Sequence, residues 1–191
     1  AQSLAALRAE LKILRGIRKR TDLARTLGEL HRQLPAGGAF SEPFFYLFSW
    51  NDPEEGGQAE RLYFGPSGTF NELEAAYTGE DEALRKAYVA HVADMLELAG
   101  DSESMAPRRA KAVVQLEAGL ASYRRRTAAT QDHSQLEAAP HSKEEFQALM
   151  RKFGWSDFFD AYAIPECDRI VVRQPEYFKH LGVVLEAISL D

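Results

Sequence analysis

The stretch GEDEALRKAYVAHVADMLELAG, Gly79 to Gly100, decides how the rest of the sequence is read. Leu84, Tyr88, Val92, Met95 and Ala99 recur at steps of three and four, which predicts one shared helical face. Arg85, Lys86, Asp94 and Glu97 fall away from that face, toward water. Glu80, Asp81 and Glu82 belong in the first turn, where the helix dipole favours negative charge, and Gly100 supplies a stop. It is the longest clean helical pattern in the chain, and the reading it suggests is that the other elements pack on it.

Composition bounds the alternatives. The 191 residues are 45% hydrophobic and 27% charged, enough for one globular domain with a sizeable core. No run approaches the roughly 18 apolar residues that span a bilayer, and the opening residues are too polar for a signal peptide. Cys167 is the single cysteine, so no internal disulfide forms, and its expected place is a small half-buried site. The net charge of −6 is unevenly spread. Residues 1–34 hold eight Lys/Arg against three Asp/Glu, whereas residues 51–104 hold three basic against thirteen acidic. The basic residues are spread around helices without interleaved exposed aromatics, which argues against nucleic acid as a partner.

Working outward toward the N-terminus, Leu4, Leu7, Leu11 and Leu14 mark an amphipathic helix broken near Gly16. Thr21 reads as the N-cap of a second helix, with Asp22 in its first turn and Leu23, Leu27, Leu30 and Leu34 as its buried stripe. Pro35 and Gly37–Gly38 end it. Phe44–Trp50, FFYLFSW, and Arg61–Phe64, RLYF, flank a connection rich in Asn, Asp, Pro and Gly, the pattern of a small antiparallel hairpin.

Toward the C-terminus, Ala110, Val113, Val114, Glu117, Leu120 and Tyr123 continue the helical period, with Arg124, Arg125 and Arg126 suited to a helix end. Thr127–Pro140 has little periodicity and is expected to be a mobile surface loop. Ser142 and Glu145 make a capping box, S-x-x-E, for a short helix holding Phe146, Leu149 and Met150. Ser156 reads as the cap of another helix through Phe159 and Tyr162, which Ile164-Pro165 stops. Arg169–Arg173 is a short strand. Gln174-Pro175 opens a last helix with Tyr177, Leu181, Val184, Leu185 and Ile188 on its apolar face. The expected fold is mainly α with a small β-hairpin, in a single helical domain over residues 1–191.

The sequence nominates no chemistry. The histidines, His31, His91, His133, His141 and His180, never fall at the i, i+4 spacing of H-E-x-x-H, and no C-x-x-C occurs. His31 and His91 lie in amphipathic helices and read as boundary residues. No G-x-S-x-G elbow or phosphate loop is present; Gly65-Pro66-Ser67-Gly68 is the nearest approach, and Pro66 lacks the N–H a cradle would use. Catalytic, cofactor-binding and metal residues are therefore all assigned as none.

The ordered set of motifs resembles the N-terminal helical region of the neprilysin-type zinc metallopeptidases, family M13. Four stretches carry the likeness: Thr21–Gln33, the Phe44–Phe64 hairpin, Ala87–Gly100 and Arg169–Leu185; Ala110–Ala121 and Gly154–Tyr162 fit between them. Two stretches depart from the family pattern. Gly65–Tyr77 reads GPSGTFNELEAAY where members usually have Gly-Leu-Pro-x-Arg-Asp-Tyr-Tyr, and Ala139–Ser142 reads APHS in place of Tyr-Asn-x-Met. The resemblance implies a non-catalytic cap that limits substrates to peptides, within a larger peptidase whose N-A-F-Y, H-E-x-x-H and E-x-x-x-D motifs lie beyond Asp191. It implies zinc only in that C-terminal domain, an extracytoplasmic location, and the catalytic half or a peptide as partner. The alternative class is a free-standing helical protein-interaction module. The apolar face of the last helix adds an expectation that it packs against a polypeptide outside this chain, with self-association where that partner is missing.

Overall fold

A computed structural model describes residues 11–33, 42–51, 60–130, 140–163 and 169–188. In chain order the elements are α1 (Arg20–Gln33), β1 (Phe45–Asn51), β2 (Glu60–Pro66), a 3-10 turn (Asn71–Leu73), α2 (Glu74–Thr78), α3 (Glu82–Leu98) and α4 (Ala106–Thr130). There follow β3 (Pro140–His141), α5 (Lys143–Leu149), α6 (Trp155–Tyr162), β4 (Ile170–Val172) and α7 (Pro175–Ala187). The fold is mainly helical with a small sheet, as the sequence predicts. It divides into two compact units: a helical one, residues 1–15 and 69–125, and a sheet-containing one, residues 16–68 and 126–191.

The sheet unit is built on the expected hairpin. β1 and β2 pair antiparallel from Phe45↔Pro66 to Asn51↔Glu60. Two strands extend the sheet in the order β1-β2-β4-β3, with β4 parallel to β2 and β3 antiparallel to β4. Alternation places Phe45 and Leu47 of β1, and Leu62 and Phe64 of β2, on the buried face. Helices α1, α5, α6 and α7 supply the rest of that core: Leu27, Phe146, Phe158, Tyr177, Phe178 and Leu181 are buried with them. Phe45 is at its centre, with ring centroids 4.9 Å from His31, 5.5 Å from Phe158, 5.8 Å from Phe64, and 5.9 Å from both Trp155 and Phe178.

Several expectations here are corrected by tertiary packing. The buried face of α1 is Ala24, Leu27, Gly28 and His31, because close approach to α6 demands small residues. A Cβ on Gly28 would lie 2.5 Å from the Phe158 carbonyl oxygen and 2.9 Å from Ala161 Cβ. Leu23 and Leu30 are only half-buried. Thr21 does not cap the helix: its Oγ1 is buried without a partner, and the Asp22 carboxylate instead accepts from the N–H groups of Arg18 and Lys19 at 3.0 and 3.1 Å. Ser156 lies inside α6, whose N-cap is Gly154 at φ 86°. The capping box at Ser142 and Glu145 forms as expected, with both of its reciprocal bonds.

Helix α7 follows Gln174 at φ 57°, with Pro175 in its first turn, and its apolar face is used within the unit. Tyr177, Phe178, Leu181 and Leu185 are buried there, which leaves Val183 (66% exposed) and Ile188 (37% exposed) outside. The local core thus takes most of the face that the sequence offers for packing. The Arg20 guanidinium donates to the carbonyls of Leu185 and Glu186, placing positive charge where the α7 dipole ends.

In the helical unit α3 forms where expected. The Asp81 carboxylate caps it by accepting from Leu84 N–H at 2.8 Å, and Gly100 takes φ 100° just beyond it. The Arg15 guanidinium donates to the Ala99 carbonyl at 2.8 Å, another cation at a helix C-terminus. Its buried seam against α4 is Ala93, with Ala106 and Ala110 opposite, flanked by Val89, Val92 and Leu96. Met95, placed on the apolar face by periodicity, is 50% exposed, and Leu98 is 68% exposed. The large aromatic core therefore lies in the sheet unit and not on α3.

Helix α4 continues to Thr130, into the stretch expected to be a loop, and Pro140–His141 pair as β3, so both ends of that stretch are regular structure. Residues 131–139, with His133, lie outside the described residues, as do Leu4, Leu7, Leu34, Ile164, Pro165 and Cys167.

Two substitutions test this packing. Phe45→Ala should cost about 3–5 kcal/mol in a denaturant titration, the range for removing a central aromatic side chain. Gly28→Ala should also destabilise, although Ala is the better helix former by roughly 1 kcal/mol, because the seam has no room for the methyl. A gain in stability on Gly28→Ala would contradict the close α1–α6 approach.

Candidate functional site

Three groups of buried or half-buried polar side chains stand out in the interior. The first is His31. It is 4% exposed, stacked on Phe45 with 13° between ring planes, and edge-on to Phe158 at 5.6 Å. One ring N–H donates to the Pro43 carbonyl, while Nε2 is buried without a partner. Burial disfavours the imidazolium and lowers the pKa to about 4. The sequence places His31 at a helix boundary; the structure makes it a neutral core residue. His91, the other helical histidine, is exposed.

The second is Glu42, 6% exposed, whose carboxylate accepts from Leu47 N–H at 3.2 Å. β1 is an edge strand, so this carboxylate occupies a position that a further strand's carbonyl would take. Burial raises its pKa, partly offset by that N–H. Nearby, Tyr46 lies across Gly65, where any Cβ would collide with its ring, and its hydroxyl bonds to the Arg173 side chain. Tyr177 completes the arrangement: its hydroxyl donates to the Phe44 carbonyl at 2.6 Å, with the Ser67 carbonyl at 3.3 Å. These contacts close the open end of the hairpin onto α7.

The third lies in the helical unit. Glu117 Oε2 accepts from Tyr88 at 2.9 Å and from Tyr77 at 3.3 Å, and the two rings meet edge-on at 6.2 Å. Burial raises the Glu117 pKa and the two hydroxyls lower it, while both phenols are pushed upward by burial and by the carboxylate. The phenols therefore stay protonated and donate. This joins α2, α3 and α4; periodicity places Glu117 on the inner face of its helix without showing what it meets.

Each group is a carboxylate or ring that satisfies a backbone or a hydroxyl, and none presents a nucleophile and base to a common space. Among the described residues no three His, Cys, Asp or Glu side chains gather so as to hold a metal ion. The Gly65–Gly68 turn binds the hairpin to itself: Gly68 has φ 82°, and a Cβ there would stand 2.7 Å from the Phe44 backbone nitrogen.

Comparison with known proteins supplies what the geometry does not. The N-terminal-region model of peptidase family M13 matches residues 1–191. Two solved structures of the zinc metalloprotease Zmp1 from Mycobacterium tuberculosis share the fold, each at 23% identity and a TM-score of 0.76. The open state, seen by cryo-electron microscopy, matches over 95% of this chain, and the inhibitor-bound crystal structure over 98%. The chain spans 28% of the length of Zmp1. No curated protein sequence matches it.

The titration of His31 gives a test. Its folded pKa of about 4 is below the unfolded 6.5, so between these values the unfolded chain holds the extra proton. Stability from this group is complete above pH 6.5 and falls by about 3 kcal/mol as the pH drops toward 4. Glu42 and Glu117 are raised and act in the opposite sense. His31→Phe should therefore abolish the loss between pH 6.5 and 4 in denaturant titrations. An unchanged slope in the variant would show that His31 is not the group responsible.

Proposed function

The chain belongs to peptidase family M13 over residues 1–191, and on that premise we propose that it is the non-catalytic cap of an M13 zinc metalloendopeptidase. In this reading it gates access to a catalytic half carried by the remainder of the protein. The supporting observation is the match itself. The family's N-terminal-region model accounts for the whole chain, which spans little more than a quarter of a full zinc metalloprotease of the same fold. M13 proteases depend on zinc, and the described residues do not fit that ion, so its ligands belong to the catalytic half. The polar groups described above are spent on structure, and gating asks only for a stiff scaffold beside a site built elsewhere. Peptide substrates and the catalytic half are the proposed partners, in an extracytoplasmic compartment, as the family suggests. Among the described residues no helix is long and apolar enough to cross a membrane.

The test uses this chain joined to, or mixed with, the polypeptide bearing H-E-x-x-H. The assembly should cleave a short quenched peptide in a chelator-sensitive manner and refuse a folded protein of the same cleavage sequence. The catalytic half without residues 1–191 should lose that size discrimination, or lose solubility and regain both on adding the chain in trans. Identical substrate selection with and without the chain would overturn the cap reading and favour the free-standing interaction module.

A further inference from the structure

Helices α3 and α4 bound a cleft of about 330 Å³ in the helical unit. That is at the lower end of the roughly 300–1,000 Å³ typical of ligand sites. Arg85 and Lys86 reach it from α3 and Lys111 from α4, over an apolar wall formed by Val89 and Val114, with the Gln115 amide beside them. Residues 51–104 hold only three basic side chains against thirteen acidic, and two of the three, Arg85 and Lys86, line this cleft. Glu82 also lines it and stands 3.6 Å from Lys86, four residues on, so these two offset each other. No acidic side chain is paired with Arg85 or Lys111 among the described residues. Two uncompensated cations therefore face one space from two helices.

We propose that this cleft docks an acidic segment of a second polypeptide. One Asp or Glu carboxylate sits between Arg85 and Lys111, its apolar neighbour lies against Val89 and Val114, and Gln115 serves the backbone of the docked segment. Arg85 offers a planar fork suited to a carboxylate, Lys111 a point charge that tolerates different approach angles. The apolar wall distinguishes a peptide from a bare ion, because it rewards a side chain next to the charge. This inference stands on the cleft alone and does not depend on the cap reading.

The probe is a fluorescein-labelled peptide, Val-Glu-Asp-Leu-Glu-Leu, titrated with the full 191-residue chain and followed by anisotropy at low salt. Saturable binding is expected, weakening at least about fivefold as ionic strength rises through the range where the Debye length shrinks below about 10 Å. The neutral counterpart, Val-Gln-Asn-Leu-Gln-Leu, should bind at least about tenfold more weakly, the loss expected when a charge-assisted contact is removed. The double variant Arg85→Gln, Lys111→Gln should lose binding to the same degree. The charge-reversed pair Arg85→Glu, Lys111→Glu should instead bind Val-Lys-Lys-Leu-Lys-Leu, a positive result that only a folded cleft can give. Equal binding of the acidic peptide by wild type and the Gln variant would overturn the proposal, as would absence of binding. Displacement by inorganic phosphate at the peptide's own concentration would also overturn it, by showing a small-anion site in place of a peptide site.

Discussion

The structure depends most on one ring. Phe45 stands at the start of an edge strand, fully buried, within 4.9 to 6.2 Å of the rings of His31, Phe64, Phe153, Trp155, Phe158 and Phe178. Those partners come from α1, β2, the turn before α6, α6 itself and α7, so one side chain joins four other elements of its unit. Aromatic pairs at these separations contribute about 0.5–1.5 kcal/mol each beyond the area they bury. Their tilted and edge-on geometries also fix orientation, which aliphatic packing does less well. The hairpin's place against α1, α6 and α7 follows from this cluster, as does the burial of His31 in its neutral form.

The polar chemistry of the interior is subordinate to that packing. Glu42 satisfies an edge-strand amide, Tyr177 ties the hairpin's end to α7, and Glu117 receives two phenols between helices. Arg15 and Arg20 each meet the last carbonyls of a helix. A scaffold of this kind holds a shape and offers a surface, which is what the cap reading requires of an M13 N-terminal region. The α3–α4 cleft differs from these groups because two of its cations, Arg85 and Lys111, have no acidic partner among the described residues.

Much of the fold was legible from local patterns. The hairpin followed from two β-prone aromatic runs around a turn-rich connection, the α5 capping box from Ser142 and Glu145, and α3 from its period and its acidic first turn. What escaped was set by packing between segments distant in sequence. Gly28 reads as a helix weakness until the Phe158 carbonyl is seen against it. Nothing around His31 signals a neutral ring stacked on Phe45, since that partner lies on a different element, β1. Helix α3 looked like the organising element because its period is long and clean, yet its core seam is built from alanines and valines. Strand β3 is two residues long, too short to carry any period. The functional site was illegible for a simpler reason: the described residues contain buried polar groups but no reactive constellation, and family membership carried the reading.

The central structural claim is that the aromatic core around Phe45, and not the long helix α3, holds the most stable part of the molecule. Native-state hydrogen exchange measures this directly, because amides in the last region to open exchange only through global unfolding. The slowest amides should fall in β1, β2, α6 and α7, with α3 exchanging through smaller openings of its own unit. Slowest exchange in α3, with the strand amides of Phe45–Leu47 and Leu62–Phe64 exchanging earlier, would contradict the account.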